Sequence, residues 1–472
     1  MAPPIEGRHI HITGIVQGVG FRPFVYGLAT RLALNGWVLN NSSGVEVEVA
    51  GPPAQLDAFI AALQTETPPL AVIDSLRVEP ISNLQPPTFE IRHSQAQPHA
   101  FVPISPDICI CDDCRRELFD PADRRYRYPF INCTNCGPRF TIIRDIPYDR
   151  PLTTMADFPM CPACQSEYNN PLDRRFHAQP NACPDCGPQV ELRTSDAKEP
   201  LPGEAAIRGA QNMLAAGKIV AIKGLGGFHL ACDATNDRAL QTLRERKGRV
   251  DKPFAVMALD MDAVRRIARV DPAERSLLLS KERPIVLLKK RDDSPLSELV
   301  APGNRYVGVM LPYTPLHYLL LTRRLPVLVM TSGNYSEEPI VKDNAEALDR
   351  LAPLADAFLL HNRDIHLHCD DSVVRVFEGR ELPVRRSRGY APFPVKLPFE
   401  TTQILAVGGE LKSAFCLTKG RYAFMSQHIG DMENLETLQA FEAAAAHFQA
   451  IFRVEPDIIA CDMHPGYLSS KW

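Results

Sequence analysis

Four Cys-x-x-Cys pairs lie between residues 111 and 186, and they form one unit that occurs twice in the chain. The eight cysteines are Cys111, Cys114, Cys133, Cys136, Cys161, Cys164, Cys183 and Cys186. The Asp-Arg-Arg and Gly-Pro segments between them recur in the same register. Zn²⁺ takes four tetrahedral thiolate ligands, and two such pairs separated by about 15–20 residues can converge on one ion. Because disulfide pairing would not preserve the register of a duplication, the pattern predicts two closed, structural Zn²⁺ sites, in 111–136 and 161–186.

Length and composition narrow the class of protein. The chain has 472 residues, of which 45% are hydrophobic and 23% charged, and its formal net charge is −4. This size predicts about three globular domains, and the near-neutral charge makes nucleic acid an unlikely partner. No apolar run reaches the roughly 18 residues of a membrane span, and the N-terminus lacks the apolar core of a signal peptide. Because unpaired cysteines fit a reducing compartment, we expect a cytoplasmic protein that does not bind membranes.

Proline-rich breaks divide the chain into four segments. They lie near residues 93–106, 194–203 and 391–401. We predict a multidomain protein of mixed α+β and α/β class. Its predicted domains cover residues 1–92, 105–190, 200–390 and 402–472.

The first segment contains a glycine-rich loop between a strand and a helix. Residues 9–16 alternate between apolar and polar types, as a half-buried strand does. Glycines allow successive backbone N–H groups to point at an anion beside a helix N-terminus, and Arg22 is a forked donor suited to phosphate oxygens. The order of elements predicts a βαββαβ ferredoxin-like domain. The predicted phosphate loop is Gln17, Gly18, Val19 and Gly20.

This segment resembles the acylphosphatase family. The resemblance lies in the Gln-Gly-Val-Gly-Phe-Arg loop at 17–22 and in Asn40, at the end of the next predicted strand. It implies that the loop and Arg22 hold an acyl phosphate while Asn40 positions the attacking water. An acylphosphatase with structural appendages is therefore one class of function that stays open.

Basic and small polar residues recur at separated points of the third segment. They follow apolar strands or end a helix, and such groups suit a triphosphate or a mixed anhydride. The alternative for the basic residues is an ordinary solvated face. The candidates are Lys223, Lys247, Arg249, Lys252, Ser332 and Asn334.

The Lys-x-Arg element at 247–249 and the Ser-x-Asn element at 332–334 resemble those of the YrdC-like family. In that family they bind ATP and carry out carbamoyl adenylation. Ser372 joins the candidates because its segment resembles a further nucleotide-side strand. Lys223 begins a glycine-rich stretch where the threonine-using members have a Thr-rich strand end, and Met310 replaces their arginine. The resemblance therefore implies ATP with Mg²⁺ as co-substrate, but it does not extend to threonine.

The segment at 361–370 contains several residue types that can bind metals. Histidines and acids between 361 and 370 match no metal-site spacing, and alternation along a strand would divide them between two faces. We therefore expect a surface strand there.

Residues 402–472 resemble the first lobe of the actin/hexokinase-like carbamoyltransferases related to TsaD, without their metal-binding His-x-x-x-His helix. We expect an incomplete lobe, from a truncated chain or one that pairs with another.

The four segments in this order resemble the HypF family, the carbamoyltransferases of NiFe-hydrogenase maturation. The resemblance implies hydrolysis of carbamoyl phosphate, formation of carbamoyl-adenylate with ATP, and transfer to the C-terminal cysteine of HypE. Without the metal-binding helix, transfer to HypE is expected to be weak or absent. We also expect the Arg22 and Lys247/Arg249 pockets to open toward a shared interior. An RNA-binding zinc and YrdC-like module remains the alternative, although acidic residues interleave its arginines.

Overall fold

The computed structural model describes residues 5–41, 43–68, 70–82, 87–92, 103–194, 199–335 and 338–472. Within these ranges the chain forms three β-sheets and two short cysteine-rich modules. Among the described residues, no helix combines the length and the apolar character needed to cross a membrane.

The first sheet has the strand order β4-β1-β3-β2-β5, and β2 and β5 are its parallel pair. Ile10 and Ile12 of β1 are fully buried against two helices, which accounts for the alternation in the sequence. The order of elements up to β4 is the predicted βαββαβ. The elements are β1 (Glu6–Ile15), α1 (Phe21–Arg31), β2 (Asn35–Asn41), β3 (Gly44–Gly51), α2 (Pro53–Thr65), β4 (Val72–Ile81) and β5 (Phe89–Ile91).

The cysteine-rich modules contain little regular structure. Each has one helix that begins directly after the first cysteine of its repeat, namely α3 (Asp112–Phe119) and α4 (Pro162–Asn169). Two 3₁₀ turns, Arg150–Leu152 and Thr154–Asp157, lie in the connection between the modules. A chain with so little backbone pairing depends on other cross-links for its shape.

The third segment is built on a mixed sheet of eleven strands within the described ranges, with the order β16-β15-β11-β12-β10-β13-β9-β8-β14-β6-β7. Its central strands are buried on both faces by helices. The strands are β6 (Val190–Thr194), β7 (Leu201–Pro202), β8 (Val220–Lys223), β9 (Phe228–Asp233), β10 (Ala255–Ala258), β11 (Ile285–Lys289), β12 (Tyr306–Met310), β13 (Val327–Ser332), β14 (Ala357–His361), β15 (Val373–Phe377) and β16 (Arg380–Arg385). The helices are α5 (Gly203–Ala215), α6 (Asp237–Lys247), α7 (Met261–Ile267), α8 (Pro272–Leu279), α9 (Pro315–Leu320) and α10 (Asn344–Arg350), with a 3₁₀ turn at Glu298–Val300.

The last segment forms a small sheet with the order β17-β19-β18-β20, covered by one long helix. Phe441 and Phe448 of that helix are fully buried. The edge strand β20 exposes Ile458 and Ile459. The elements are β17 (Val395–Thr401), β18 (Ile404–Ala406), β19 (Cys416–Met425), α11 (Leu435–Phe452), β20 (Ile458–Ala460) and α12 (Leu468–Lys471).

Candidate active sites and metal centres

Arg22 and Asn40 line one small cavity, which we call the Arg22 cavity. Arg22 lies at the start of α1 and Asn40 near the end of β2, so the strand–helix–strand unit brings both to one place. Arg22 is 8% exposed and Asn40 is 2% exposed. Among the described residues, Oδ1 of Asn40 has no hydrogen-bond partner. A buried acceptor without a partner is costly, so this oxygen is available to orient a water molecule or a ligand.

The predicted phosphate loop is held in shape by its own side chains and glycines. Gly18 and Gly20 have φ values of +68° and +75°, a left-handed conformation that favours glycine. Gln17 does not line the Arg22 cavity; its Nε2 donates to the carbonyl oxygens of Asn41 and Gly44, at 2.6 and 3.0 Å. Val19 is fully buried. The loop thus offers its backbone, rather than these two side chains, to a ligand.

The opposite wall of the Arg22 cavity comes from the cysteine-rich segment. Nε of Arg139 donates to the Gly18 carbonyl at 2.9 Å, and its other nitrogens donate to carbonyls of the Cys133–Cys136 turn and of Gly137. The Tyr148 ring packs against Gly18. Asp149 pairs with Arg22, with 3.0 Å between Nη2 and Oδ1. The cavity therefore exists only where the first segment and the cysteine-rich segment meet.

Each cysteine repeat gathers its four sulfur atoms into one cluster. Within a cluster all four Sγ atoms lie within 4.8 Å of one another. In the first cluster, Cys111–Cys133, Cys133–Cys136 and Cys136–Cys114 are 3.7, 3.8 and 3.6 Å apart. The corresponding distances in the second cluster are 3.7, 3.8 and 3.6 Å. Tetrahedral Zn²⁺ with Zn–S bonds of about 2.3 Å requires sulfur separations of about 3.8 Å. The geometry therefore fits two closed tetrathiolate metal sites.

The two clusters are connected by arginines that cross from one repeat to the other. Arg124 of the first repeat donates to Sγ of Cys164 at 2.8 Å, and Arg174 of the second donates to Sγ of Cys114 at 3.2 Å. The following arginines, Arg125 and Arg175, pair with Glu167 and Glu117 of the opposite repeat. Arginine charges of one repeat thus compensate the thiolates of the other, which the linear motif does not reveal.

Arg249, Lys252, Ser332 and Asn334 line a cavity of about 800 Å³, which we call the Arg249 cavity. Its other side is formed by residues of the last segment, including His428. Burial and the neighbouring Arg244 lower the pKa of Arg249 to about 10. A large cavity with basic and small polar groups at the end of β13 can accept a nucleotide.

Lys247 is 4% exposed and lies behind the Ser332–Asn334 turn. Its Nζ donates to the carbonyl oxygens of Ser332 and Asn334, at 2.8 and 2.6 Å, and to Oδ1 of Asn334 at 2.8 Å. Burial, followed by the charge of Arg249, lowers the pKa of Lys247 to about 7. Lys247 therefore shapes the turn directly.

Two predicted residues lie elsewhere. Lys223 lines a separate small cavity, the Lys223 cavity, together with Gly224 and Arg363. Burial lowers the pKa of Lys223 to about 8 and that of Arg363 to about 10. Ser372 is fully buried, and its hydroxyl donates to the Arg388 carbonyl and accepts from the Ser387 N–H. Its hydroxyl is therefore engaged with backbone and not with a cavity.

The expected surface strand near 361–370 is not what the structure contains. His361 ends the buried strand β14, and His368 is 7% exposed. Burial lowers the pKa of both imidazoles. Residues 362–370 form no strand, and the sequence pattern could not show the burial of His368 because it depends on contacts with other segments: the His366 N–H donates to the Thr141 carbonyl at 2.9 Å, and Nε2 of Gln427 donates to the His368 carbonyl at 3.2 Å.

The chain matches models of known families along most of its length. Four family models match, in chain order. The acylphosphatase model matches residues 8–91, and the HypF finger model matches 110–143 and 160–193. The Sua5/YciO/YrdC model, described as telomere recombination, matches 212–387, and the HypF Kae1-like domain model matches 399–472. The chain is thus a multidomain protein that joins an acylphosphatase-like domain to a YrdC-like domain through tetracysteine modules.

Relatives with the same order of domains identify the family. The carbamoyltransferase HypF2 of Cupriavidus necator is 48% identical over 98% of this chain and 60% of its own length, and the HypF of Synechocystis is 49% identical over the same shares. A crystal structure of full-length HypF in a phosphate- and nucleotide-bound form superposes with a TM-score of 0.96, at 51% identity, covering 100% of this chain and 62% of the other. The chain belongs to the HypF family, and it spans about three fifths of the length of the curated relatives it matches.

Several residues of these sites were missed by sequence reasoning. Arg139, Tyr148 and Asp149 form the wall of the Arg22 cavity, and Arg363 lines the Lys223 cavity. Their residue types carry no spacing signal, because each reaches its site through a contact with a distant segment. Residues 139–149 belong to the connection between the two cysteine repeats, and this connection has no counterpart within either repeat. That difference was the one feature of the sequence that could have drawn attention to them.

Proposed function

We propose that this chain carries a two-step relay, in which carbamoyl phosphate is hydrolysed in the Arg22 cavity and the resulting carbamate is adenylated in the Arg249 cavity. One observation supports the proposal: three cavities, each lined by buried or partly buried basic side chains, are formed by neighbouring segments of the fold. Residues 132–139 contribute to both the Arg22 and the Lys223 cavities. The adjacent strands β8 and β9 lead from the Lys223 cavity to the Arg249 cavity.

In the first step, Arg22 and the loop amides hold the phosphoryl group, and Asn40 positions a water molecule. The water oxygen attacks phosphorus, and the bond from phosphorus to the carbamoyl oxygen breaks. The products are carbamate and inorganic phosphate. Preorganised donors around the phosphoryl oxygens stabilise the transition state, typically by several kcal/mol. The orphaned Oδ1 of Asn40 supports this assignment.

Carbamate is unstable in water, so it must be confined before it is activated. The Lys223 cavity suits this need, because two buried cations, Lys223 and Arg363, line a small and largely apolar space. In the second step a carbamate oxygen attacks the α-phosphorus of ATP. The bond to the β-phosphate oxygen breaks, which gives carbamoyl-adenylate and pyrophosphate. Arg249 and Lys252, with Mg²⁺ accompanying ATP, neutralise the phosphates.

The two tetracysteine clusters are proposed to hold Zn²⁺ as structural ions. All four ligand positions of each site are thiolates, which leaves no position for a substrate. Their proposed role is to support the walls of the cavities. Arg139 connects the first cluster to the predicted phosphate loop, because it donates to the carbonyl oxygens of both Cys136 and Gly18. For the whole protein we propose that the carbamoyl group passes to the C-terminal cysteine of HypE, as in the family that the chain resembles.

The alternative of RNA binding is disfavoured by how the arginines are used. Arg124 and Arg174 contact cysteine sulfurs, and Arg125 and Arg175 pair with glutamates. An arginine that is paired within the protein cannot also bind a phosphate backbone without losing its internal contacts.

The relay is tested by ATP–pyrophosphate exchange. We expect exchange that depends on carbamoyl phosphate in the zinc-loaded protein. Arg22→Ala should abolish it with carbamoyl phosphate but keep it when carbamate is supplied from ammonium carbamate. Lys247→Ala should abolish exchange from both sources while carbamoyl phosphate hydrolysis continues. Absence of exchange in the folded wild-type protein with either source would refute the relay.

A further inference from the structure

His229 lies between the Lys223 and Arg249 cavities. It belongs to β9, is 4% exposed, and lines the Arg249 cavity. The Nδ1 edge of its ring faces Gly224, which lines the Lys223 cavity. A methyl group at Gly224 would come within 3.0 Å of Nδ1. The imidazole therefore forms part of the wall that carbamate has to pass.

A chain of buried groups fixes the orientation of this ring. Nε2 of His229 lies 2.9 Å from Oδ2 of Asp371, and Nε of Arg388 donates to Oδ1 of the same carboxylate at 2.7 Å. Arg388 also donates to the carbonyl oxygens of Glu282 and Arg283, both at 2.9 Å. Burial alone would raise the pKa of Asp371, but the charge of Arg388 and the hydrogen bonds outweigh it and hold that pKa well below its usual range. The carboxylate is thus ionised and accepts a hydrogen bond from the Nε2–H group.

The hydrogen bond to Asp371 determines the tautomer of His229. In the neutral imidazole with its proton on Nε2, Nδ1 is an acceptor. Among the described residues, Nδ1 is buried and has no hydrogen-bond partner. Such an orphaned buried acceptor is destabilising unless a ligand or water satisfies it. A carboxylate oriented by an arginine, a ring oriented by that carboxylate, and an unused acceptor beside a cavity together indicate a ligand contact.

We propose that Nδ1 of His229 accepts a hydrogen bond from the amino group of carbamate. The inference rests on the proposed relay and deepens it. Lys223 and Arg363 would attract any small carboxylate, because they recognise only its charge. His229 would recognise the N–H group that acetate and formate lack. It is thus a substrate-binding residue that determines specificity and turns a carboxylate oxygen toward the nucleotide.

Two substitutions separate the Nδ1 contact from the Asp371 contact. In His229→Asn the amide group stands as far from the backbone as Nδ1 does, so an acceptor is kept. In His229→Gln the amide group reaches the position of Nε2, so it can still donate a hydrogen bond to Asp371. No atom of this side chain replaces the Nδ1 acceptor. We expect the KM for carbamate in exchange to rise about 10- to 100-fold in His229→Gln and in His229→Leu. In His229→Asn it should stay within a few-fold of the wild-type value.

Three measurements decide the outcome. The Kd of ATP should be the same in His229→Asn and His229→Gln, because both keep a polar side chain on the Arg249 cavity and differ in the Nδ1 acceptor. The rate of carbamoyl phosphate hydrolysis should equal the wild-type rate in all three variants, because His229 does not line the Arg22 cavity. Equal KM values for carbamate in the wild type and His229→Leu would overturn the proposal, as would a parallel loss of ATP binding in His229→Gln. Wild-type protein alone gives an independent answer if the variants misfold: acetate must support exchange far less well than carbamate, and equal use of both overturns the inference. Wild-type protein that shows no exchange with carbamate refutes the relay itself.

Discussion

Removal of the Arg174 side chain should weaken metal binding at one cysteine cluster and leave the other unchanged. A tetrathiolate site with Zn²⁺ has a net charge of about −2, and Arg174 donates to Sγ of Cys114 at 3.2 Å in the first cluster. It also donates to Oε1 of Glu117 at 2.9 Å. Loss of an outer partner of a metal ligand typically costs 10- to 100-fold in affinity, which is about 1.4 to 2.8 kcal/mol.

The structure places the expected effect near the lower end of this range. The Arg174 side chain is 28% exposed, so water replaces part of the lost interaction. Arg175 stays in place and keeps Glu117 paired. We therefore expect Arg174→Ala to bind Zn²⁺ about tenfold more weakly at Cys111, Cys114, Cys133 and Cys136.

The matched control is the equivalent substitution in the other repeat. Arg124 donates to Sγ of Cys164 at 2.8 Å, so Arg124→Ala should weaken the second cluster selectively. Zinc release to a chromophoric chelator gives the affinities, and alkylation of released thiols followed by peptide mapping identifies which four cysteines lost protection. If each variant weakened the cluster of its own repeat, or if both clusters responded equally, the crossed arrangement would be wrong.

Three further outcomes are expected. Asp149→Asn removes the carboxylate that pairs with Arg22, so inorganic phosphate should inhibit carbamoyl phosphate hydrolysis about 5- to 30-fold more strongly, equivalent to about 1–2 kcal/mol; an unchanged inhibition constant would contradict this. Gly18→Ala forces a side chain into a left-handed conformation beside the Tyr148 ring, so hydrolysis should be lost and stability should fall by about 1–2 kcal/mol in denaturant unfolding, whereas wild-type values would refute the role of the loop. Because the pKa of Lys247 is lowered to about 7, the residue is cationic below that pH and neutral above it, so affinity for ATP should fall by up to about tenfold per pH unit above 7. In Lys247→Arg the guanidinium stays charged and this dependence should disappear; a persisting dependence would assign it to another group.

Short segments with fixed spacing were the part of the site that could be predicted. A phosphate loop between a strand and a helix brings Arg22 and Asn40 together through local structure, and a Cys-x-x-Cys pair places two ligands on one turn. For Arg249, Ser332 and Asn334, two separate motifs had to meet, and the family resemblance supplied the connection. They line one cavity because α6 ends beside the end of β13. Lys223 was a candidate because it ends an apolar strand before a glycine-rich stretch, and Ser372 was assigned by the same resemblance. Whether either side chain faces a cavity or the packed interior depends on neighbours that the motif does not contain.

The sequence by itself determined the order in which the four family models match, the two clusters of four cysteines and the glycine-rich loop at 17–20, because each follows from residue types within a short stretch of chain. Only the tertiary structure decided which walls complete the cavities. Asp149 pairs with Arg22 across 127 residues of chain, and Asp371, itself held by Arg388, pairs with His229 across 142 residues. Such contacts depend on how whole domains pack. A buried charge is costly unless it is paired, and its partner can come from any segment that the fold brings near.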